Sequence, residues 1–263
     1  MLASTLNLNE YIIIPRETDF IIPTAFIIDR VKDPCVGRML ISKLITSTQD
    51  FKHSIGVYLK PSEVEKLIKS TDYRLCDILK SIYNEIARKV KALVAGDKSP
   101  NDINFARILI KNGLPHSDIK IIHIVRDIRG VIMSLKRMPW ADPDIEKWFP
   151  RLWSFSNLYI YSLYRNNPGK YLFIKYEELV DRPEEILHKV TDFLSVPFQD
   201  KMLDPSGRGK GYEGFKEHEN LSYPFLREKK DSWKKNISKE LKLLCESQAE
   251  EALREFGYLG PYE

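Results

Sequence analysis

An arginine fork beside a hydroxyl is a common way to hold a phosphate, and residues 119–134, IKIIHIVRDIRGVIMS, supply both groups. Residues 119–125 are almost all apolar and β-branched, as expected of a strand covered on both faces. Arg126 stands at its carboxyl end, where open α/β sheets place their ligands. Ser134 follows eight residues later, about two turns along the next helix, where its hydroxyl can face the same anion. The competing reading pairs Arg126 with Asp127 and leaves Ser134 in solvent. His123, inside the apolar strand, reads as a core residue.

These residues need a scaffold, and the pattern of elements indicates one. Short β-branched runs at 11–14 and 25–28, bounded by Pro15 and Pro23, read as strands. A turn at Asp33-Pro34 leads to a helix over 37–46. Residues 62–90 carry Leu75, Ile78, Leu79, Ile82, Ile86 and Val90 as one helical stripe. A strand at 92–95 ends in Gly96-Asp97-Lys98-Ser99-Pro100, and Asn101 caps a helix over 102–111 closed by Gly113. Further helices are expected over 128–137, 143–165, 183–194 and 238–256, with a strand at 171–176. Residues 199–232 hold four of the twelve glycines and many lysines without a period, as in a flexible loop. Strands alternating with helices point to one α/β domain over 1–263, with a mostly parallel sheet between helices.

Composition narrows the function classes. The 263 residues carry 41 Lys+Arg against 37 Asp+Glu, a net charge of +4, so any anion binding is local and no nucleic-acid partner is implied. A hydrophobic fraction of 43% excludes a disordered chain. Cys35, Cys76 and Cys245 are odd in number and far apart, which argues against a disulfide framework or a metal site and for a reducing compartment. No run approaches the ~18 apolar residues of a membrane span, and residues 1–9 lack the order of a signal peptide. The expectation is a cytoplasmic protein. Only 12 glycines is few for a chain that lays backbone against phosphate.

Residues 92–258 resemble the sulfotransferases that use 3′-phosphoadenylyl sulfate (PAPS). In that family a strand-end Arg, an Asp-Pro-Arg and a Ser eight residues after the first Arg hold the donor's 3′-phosphate. Arg126-Asp127-Ile128-Arg129 and Ser134 match, with Ile128 in place of proline. Tyr176-Glu177-Glu178-Leu179 resembles the family's Tyr-Glu-Asp-Leu stretch. Two roles stay open for Tyr176: stacking on adenine, or packing beneath the sheet. Arg227, Lys229 and Lys230, before Trp233, resemble a basic loop that closes over the 3′-phosphate. Gly96-Asp97-Lys98-Ser99-Pro100 resembles the Gly-Asp-Lys-Thr-Pro of the bacterial-type branch, which implies that Lys98 neutralises charge on the leaving phosphate. A solvated lysine is the plainer alternative.

The family also opens with a strand and a Pro-Arg/Lys-Ser-Gly-Thr-Thr loop for the 5′-phosphosulfate. Residues 34–39, Pro-Cys-Val-Gly-Arg-Met, are read as its degraded counterpart, with Gly37 and Arg38 as donor ligands. The family's general-base position, counted from Cys35, falls near His53, with Glu63 a weaker candidate. The resemblance thus implies a three-layer, P-loop NTPase-like fold. It implies sulfuryl transfer from PAPS, without a metal, to a hydroxyl or amine of a small-molecule, glycan or peptide acceptor held by residues 51–75 and 138–165. A catalytically inactive binding protein of the same fold is the second reading, motivated by the degraded loop and by the missing glutamate base. A small-molecule kinase is the third, and the Gly-Lys-Ser/Thr it requires is absent.

Overall fold

The computed structural model describes residues 1–207, 225 and 230–260. The described residues cluster into two units, one from 1–119 with 194–207, the other from 120–193 with 225 and 230–260. The architecture is α/β, and both strand pairs are parallel.

In the first unit, a short helix α1 (Leu2–Leu6) precedes β1 (Ile12–Ile13), which pairs with β2 (Val94–Ala95) in the register Ile12 to Val94 and Ile13 to Ala95. The strand expected at 25–28 is instead part of helix α2 (Ile21–Arg30). An unbroken apolar run reads equally well as a buried strand or a buried helix. Packing decides for the helix, with Ile21, Ile22 and Ala25 in the core and Pro23 in the first turn, where a missing N–H breaks no helical bond. Helix α3 (Pro34–Ser47) starts earlier than expected. Asp33 caps it, accepting from the amides of Cys35 (2.8 Å) and Val36 (3.3 Å), and Pro34 occupies the first turn.

The helix expected over 62–90 is two, α4 (Pro61–Ser70) and α5 (Leu75–Val90). The break at 71–74 brings Tyr73 back onto α2, where its hydroxyl donates to the Ile27 carbonyl (3.3 Å). The α5 stripe is buried from Leu75 to Ile86, with Leu75, Ile78, Ile82 and Ile86 fully enclosed, whereas Val90 at the end of the helix is exposed. Each such side chain contributes roughly 1.5–3 kcal/mol by leaving water. After β2, residues 102–105 form a single 3₁₀ turn rather than the start of a helix, and α6 covers Ala106–Lys111. Asn101 makes no side-chain cap bond. Of the expected loop 199–232, residues 200–203 and 205–207 are 3₁₀ turns. They are tied to the amino-terminal residues: Met202 is fully buried, and the Asn9 amide donates to its Sδ (3.5 Å).

In the second unit, β3 (Ile121–Val125) pairs in parallel with β4 (Tyr171–Lys175) over five residues. Helices α7 (Ile128–Leu135), α8 (Phe149–Tyr164), α9 (Tyr176–Asp181), α10 (Pro183–Leu194), α11 (Ser232–Asn236) and α12 (Lys239–Glu255) complete it. Val125, Ile128 and Ile132 share a core with Trp153, Ala249, Leu253 and Phe256. Ile124 remains exposed, so β3 is not covered on both faces. His123 is a core residue, as expected. Its ring nitrogens bond the Tyr171 hydroxyl (2.5 Å) and Asn157 Oδ1 (2.7 Å), and burial lowers its pKa to about 4, so the ring is neutral. No helix among the described residues is long and apolar enough to cross a membrane.

Candidate functional site

Residues with the required chemistry gather in two clusters, one in each unit. In the second unit, Arg126 follows β3 directly and its guanidinium lies 4.6 Å over the Tyr176 ring, at the start of α9. The Nε is buried without a hydrogen-bond partner, and no carboxylate pairs with this arginine among the described residues. Asp127 is not its partner. That carboxylate caps α7 through the Arg129 amide (2.9 Å) and forks with the Arg129 guanidinium (2.7 Å to Nη2). Arg129, 6% exposed, also holds Glu246 (2.5 Å) and the Tyr258 carbonyl (3.0 Å), so its charge is spent on the fold.

Gly130 explains how Arg126 lies along α7. A Cβ there would sit 3.4 Å from Arg126 Nε and 3.0 Å from Trp233 Cδ1. Arginine and tryptophan therefore share the space a side chain would fill. Ser134 is one turn beyond Gly130 on the same helical face, and half-buried. A guanidinium, a ring that fixes it and a hydroxyl one turn on can receive an anion from the side. The amides at the start of α7 cannot, because Asp127 occupies that end. Trp233 is buried against this face, with the Arg129 guanidinium 4.4 Å over its ring. Lys230 is ion-paired with Asp181, at the end of α9. Arg227 and Lys229 lie outside the described residues.

The first unit corrects the reading of residues 34–39. They form the first turns of α3 rather than a loop, and the Asp33 carboxylate already takes the amides an anion would need. Gly37 is a packing glycine, because a methyl group there would overlap the Tyr73 ring and hydroxyl. Arg38 donates to the Thr71 carbonyl (2.8 Å) and lies 5.9 Å from the Tyr73 ring centroid, which ties it to the turn after α4.

A strand, a loop and a helix do occur in this unit, but earlier, at β1, residues 14–20 and α2. The loop reads Ile14-Pro15-Arg16-Glu17-Thr18-Asp19-Phe20, and no side chain caps the amino end of α2. On α3, by contrast, Asp33 takes the amides of Cys35 and Val36. Asp19 takes a left-handed backbone conformation, φ +46°, rare outside glycine. The loop is tied to the end of β2: Thr18 donates to Asp97 Oδ1 (2.6 Å), and the Tyr83 and Ser99 hydroxyls bond the same carboxylate. Lys98, next in sequence, is ion-paired with Glu17 of the loop. Burial, then the charge of Arg16, lowers the Lys98 pKa to about 8.

Carboxylates crowd this cluster. Burial and the charges of Asp97 and Asp19 raise the Asp102 pKa to about 7, and Asp19 is raised by burial and by Asp97 and Asp50. Asp50 belongs to the one-turn 3₁₀ helix Gln49–His53, on which His53 is exposed. A strand expected at 25–28 hides Arg16 and Thr18 as part of a strand–loop–helix unit, and no pattern in the sequence singles out Asp102. The available signal was Pro15-Arg16 directly after the first β-branched run, with a hydroxyl at Thr18.

A model of the sulfotransferase family matches residues 1–200. The chain belongs to the sulfotransferase family. It is similar in structure to the sulfotransferase domain of the Synechococcus PCC 7002 olefin synthase, at a TM-score of 0.64 and 22% identity, covering 99% of this chain and 90% of that one. It is also similar to the sulfotransferase domain of the curacin biosynthetic pathway, at a TM-score of 0.61 and 19% identity, covering 99% and 93%. Both likenesses concern the fold, which is the P-loop-like fold of sulfotransferase domains. A Caenorhabditis briggsae sequence described as "Putative protein-tyrosine sulfotransferase" is 30% identical over 89 residues. That match spans 32% of this chain and 31% of the relative's length.

Proposed function

We propose that residues 1–263 act as one sulfotransferase domain that moves a sulfuryl group from PAPS to a hydroxyl or amine of a small-molecule, glycan or peptide acceptor. The observation that carries this reading is Arg126, a strand-end guanidinium fixed by Tyr176, free of any carboxylate among the described residues, and lying on the helical face of Ser134. The pair suits the 3′-phosphate. The 5′-phosphosulfate falls to the uncapped start of α2, the loop 14–20 and Lys98.

In the transfer, the acceptor oxygen or nitrogen bonds to sulfur as the bond from sulfur to the bridging oxygen breaks. The electron pair remains on the 5′-phosphate of the departing adenosine 3′,5′-bisphosphate. The Lys98 ammonium neutralises that developing charge. The acceptor proton goes to a base. His53, exposed at the end of the 3₁₀ helix Gln49–His53, is the proposed base on the family resemblance. Asp102 is the second candidate, since a carboxyl group titrating near 7 suits proton transfer at neutral pH. With the anion loop assigned to residues 14–20, the reading of an inactive binding protein keeps its other ground, the absence of the family's glutamate base.

The test is transfer of label from ³⁵S-PAPS to a panel of phenols, alcohols, amines and tyrosine peptides, with calorimetry of adenosine 3′,5′-bisphosphate alongside. Labelled product and measurable bisphosphate binding are expected. A protein that binds neither PAPS nor the bisphosphate would refute the proposal.

A further inference from the structure

One contact in the first-unit cluster opposes the anion binding assigned to it. The Glu17 carboxylate occupies Lys98, the cation meant for the phosphosulfate. Carboxylate and phosphosulfate are alternative partners for the same ammonium, so both cannot hold it fully at once. The surrounding charge sharpens the conflict. Arg16 and Lys98 are the cations of the cluster, against the carboxylates of Glu17, Asp19, Asp97 and Asp102.

These carboxylates differ in freedom. Asp97 is held by the hydroxyls of Thr18, Tyr83 and Ser99 and has a structural task, joining the loop to the end of β2. Asp19 is raised by burial and by Asp97 and Asp50, and Asp102 by burial and by Asp97 and Asp19 to about 7, so Asp102 loses negative charge as pH falls through that value. Glu17 is unlike them: its side chain is 43% exposed, and its recorded contact is with Lys98, itself 34% exposed. A side chain held mainly by one ion pair at the surface can rotate into water at little cost.

We propose that Glu17 is a built-in competitor for the donor site, occupying Lys98 in the ligand-free protein and leaving it when the anionic end of the donor arrives. This rests on the reading that the loop 14–20 and Lys98 take the phosphosulfate. One consequence follows from exchange. An anion must outcompete a carboxylate already in place, so a multiply charged donor is admitted over small monoanions. The ammonium is also mostly protonated at neutral pH while the site is empty, because burial and the Arg16 charge lower its pKa only to about 8.

The test compares the full chain with Glu17→Gln, an exposed substitution that keeps the side-chain shape. Calorimetry measures the binding of PAPS and of adenosine 5′-phosphosulfate, which carries the phosphosulfate end without the 3′-phosphate. NMR of ¹³C-dimethylated lysines follows the Lys98 titration. Removing the competitor should tighten both ligands by about two- to fivefold, the scale of a partly exposed ion pair. It should also move the Lys98 titration to lower pH. Wild-type binding that Glu17→Gln leaves unchanged or weakens would overturn the proposal and leave the donor reading standing. If neither protein binds either ligand, the proposal falls together with that reading.

Discussion

Replacing Arg126 by alanine isolates what one guanidinium contributes to nucleotide binding. The ligand-free protein keeps this group over the Tyr176 ring with no carboxylate partner among the described residues, so no ion pair has to break before a phosphate can bind. Each charge-assisted hydrogen bond contributes about 1.5–3 kcal/mol, so a bidentate contact at the low end of that range supplies about 3 kcal/mol. Losing it weakens binding by roughly 150-fold. Lysine keeps the charge without the fork, and Arg126→Lys should bind about tenfold more weakly than wild type. The fold should scarcely respond. The variant loses a cation–π contact of roughly 1 kcal/mol, but also a buried Nε that had no partner. The assay is calorimetry with adenosine 3′,5′-bisphosphate and with adenosine 5′-monophosphate. A guanidinium on the 3′-phosphate confines the loss to the bisphosphate. Binding of the bisphosphate within threefold of wild type, or an equal loss for both nucleotides, would refute the assignment.

Three further outcomes are expected. Arg129→Met should cost about 3–5 kcal/mol in urea denaturation, because it leaves the buried Asp127 carboxylate without its guanidinium and Glu246 with only Lys242 at 3.8 Å; a shift below 1 kcal/mol would place that charge elsewhere. Gly37→Ala should destabilise by roughly 1–3 kcal/mol through overlap with Tyr73 while folded protein binds nucleotide normally, and lost affinity at unchanged stability would return residues 34–39 to the donor site. Lys98 acts as an ammonium and its pKa is lowered to about 8, so the charged form is present below that pH and is lost as pH rises through it. Accordingly kcat/KM should fall above about pH 8, and a profile flat to pH 10 would remove Lys98 from the chemistry.

Local pattern carried much of the second unit. The strand before Arg126, the helix bearing Ser134 and the serine-capped helix α12 lie where period and capping residues place them, because each is decided by neighbours a few positions away. The match at Arg126 and Ser134 is legible for the same reason, since the spacing of one strand and one helix sets both positions. The first unit was less legible. An apolar run around residue 25 carries no periodicity that separates strand from helix, so the strand–loop–helix unit at β1, residues 14–20 and α2 is expected some twenty residues downstream of where it lies.

By itself the sequence determined the α/β class, the family resemblance and the strand-end arginine, all of which follow from residue type and short-range spacing. Only the tertiary structure decided which charges are spent and which are available. Arg126 and Arg129 lie three residues apart and look alike in sequence. Glu246 and the Tyr258 carbonyl, more than a hundred residues away, absorb one guanidinium, while the other lies over Tyr176 across a glycine. Likewise Asp33 closes the start of α3 and leaves that of α2 without a side-chain cap. Ion pairing and capping depend on which side chains folding brings within about 3 Å, and no pattern along the chain encodes that distance.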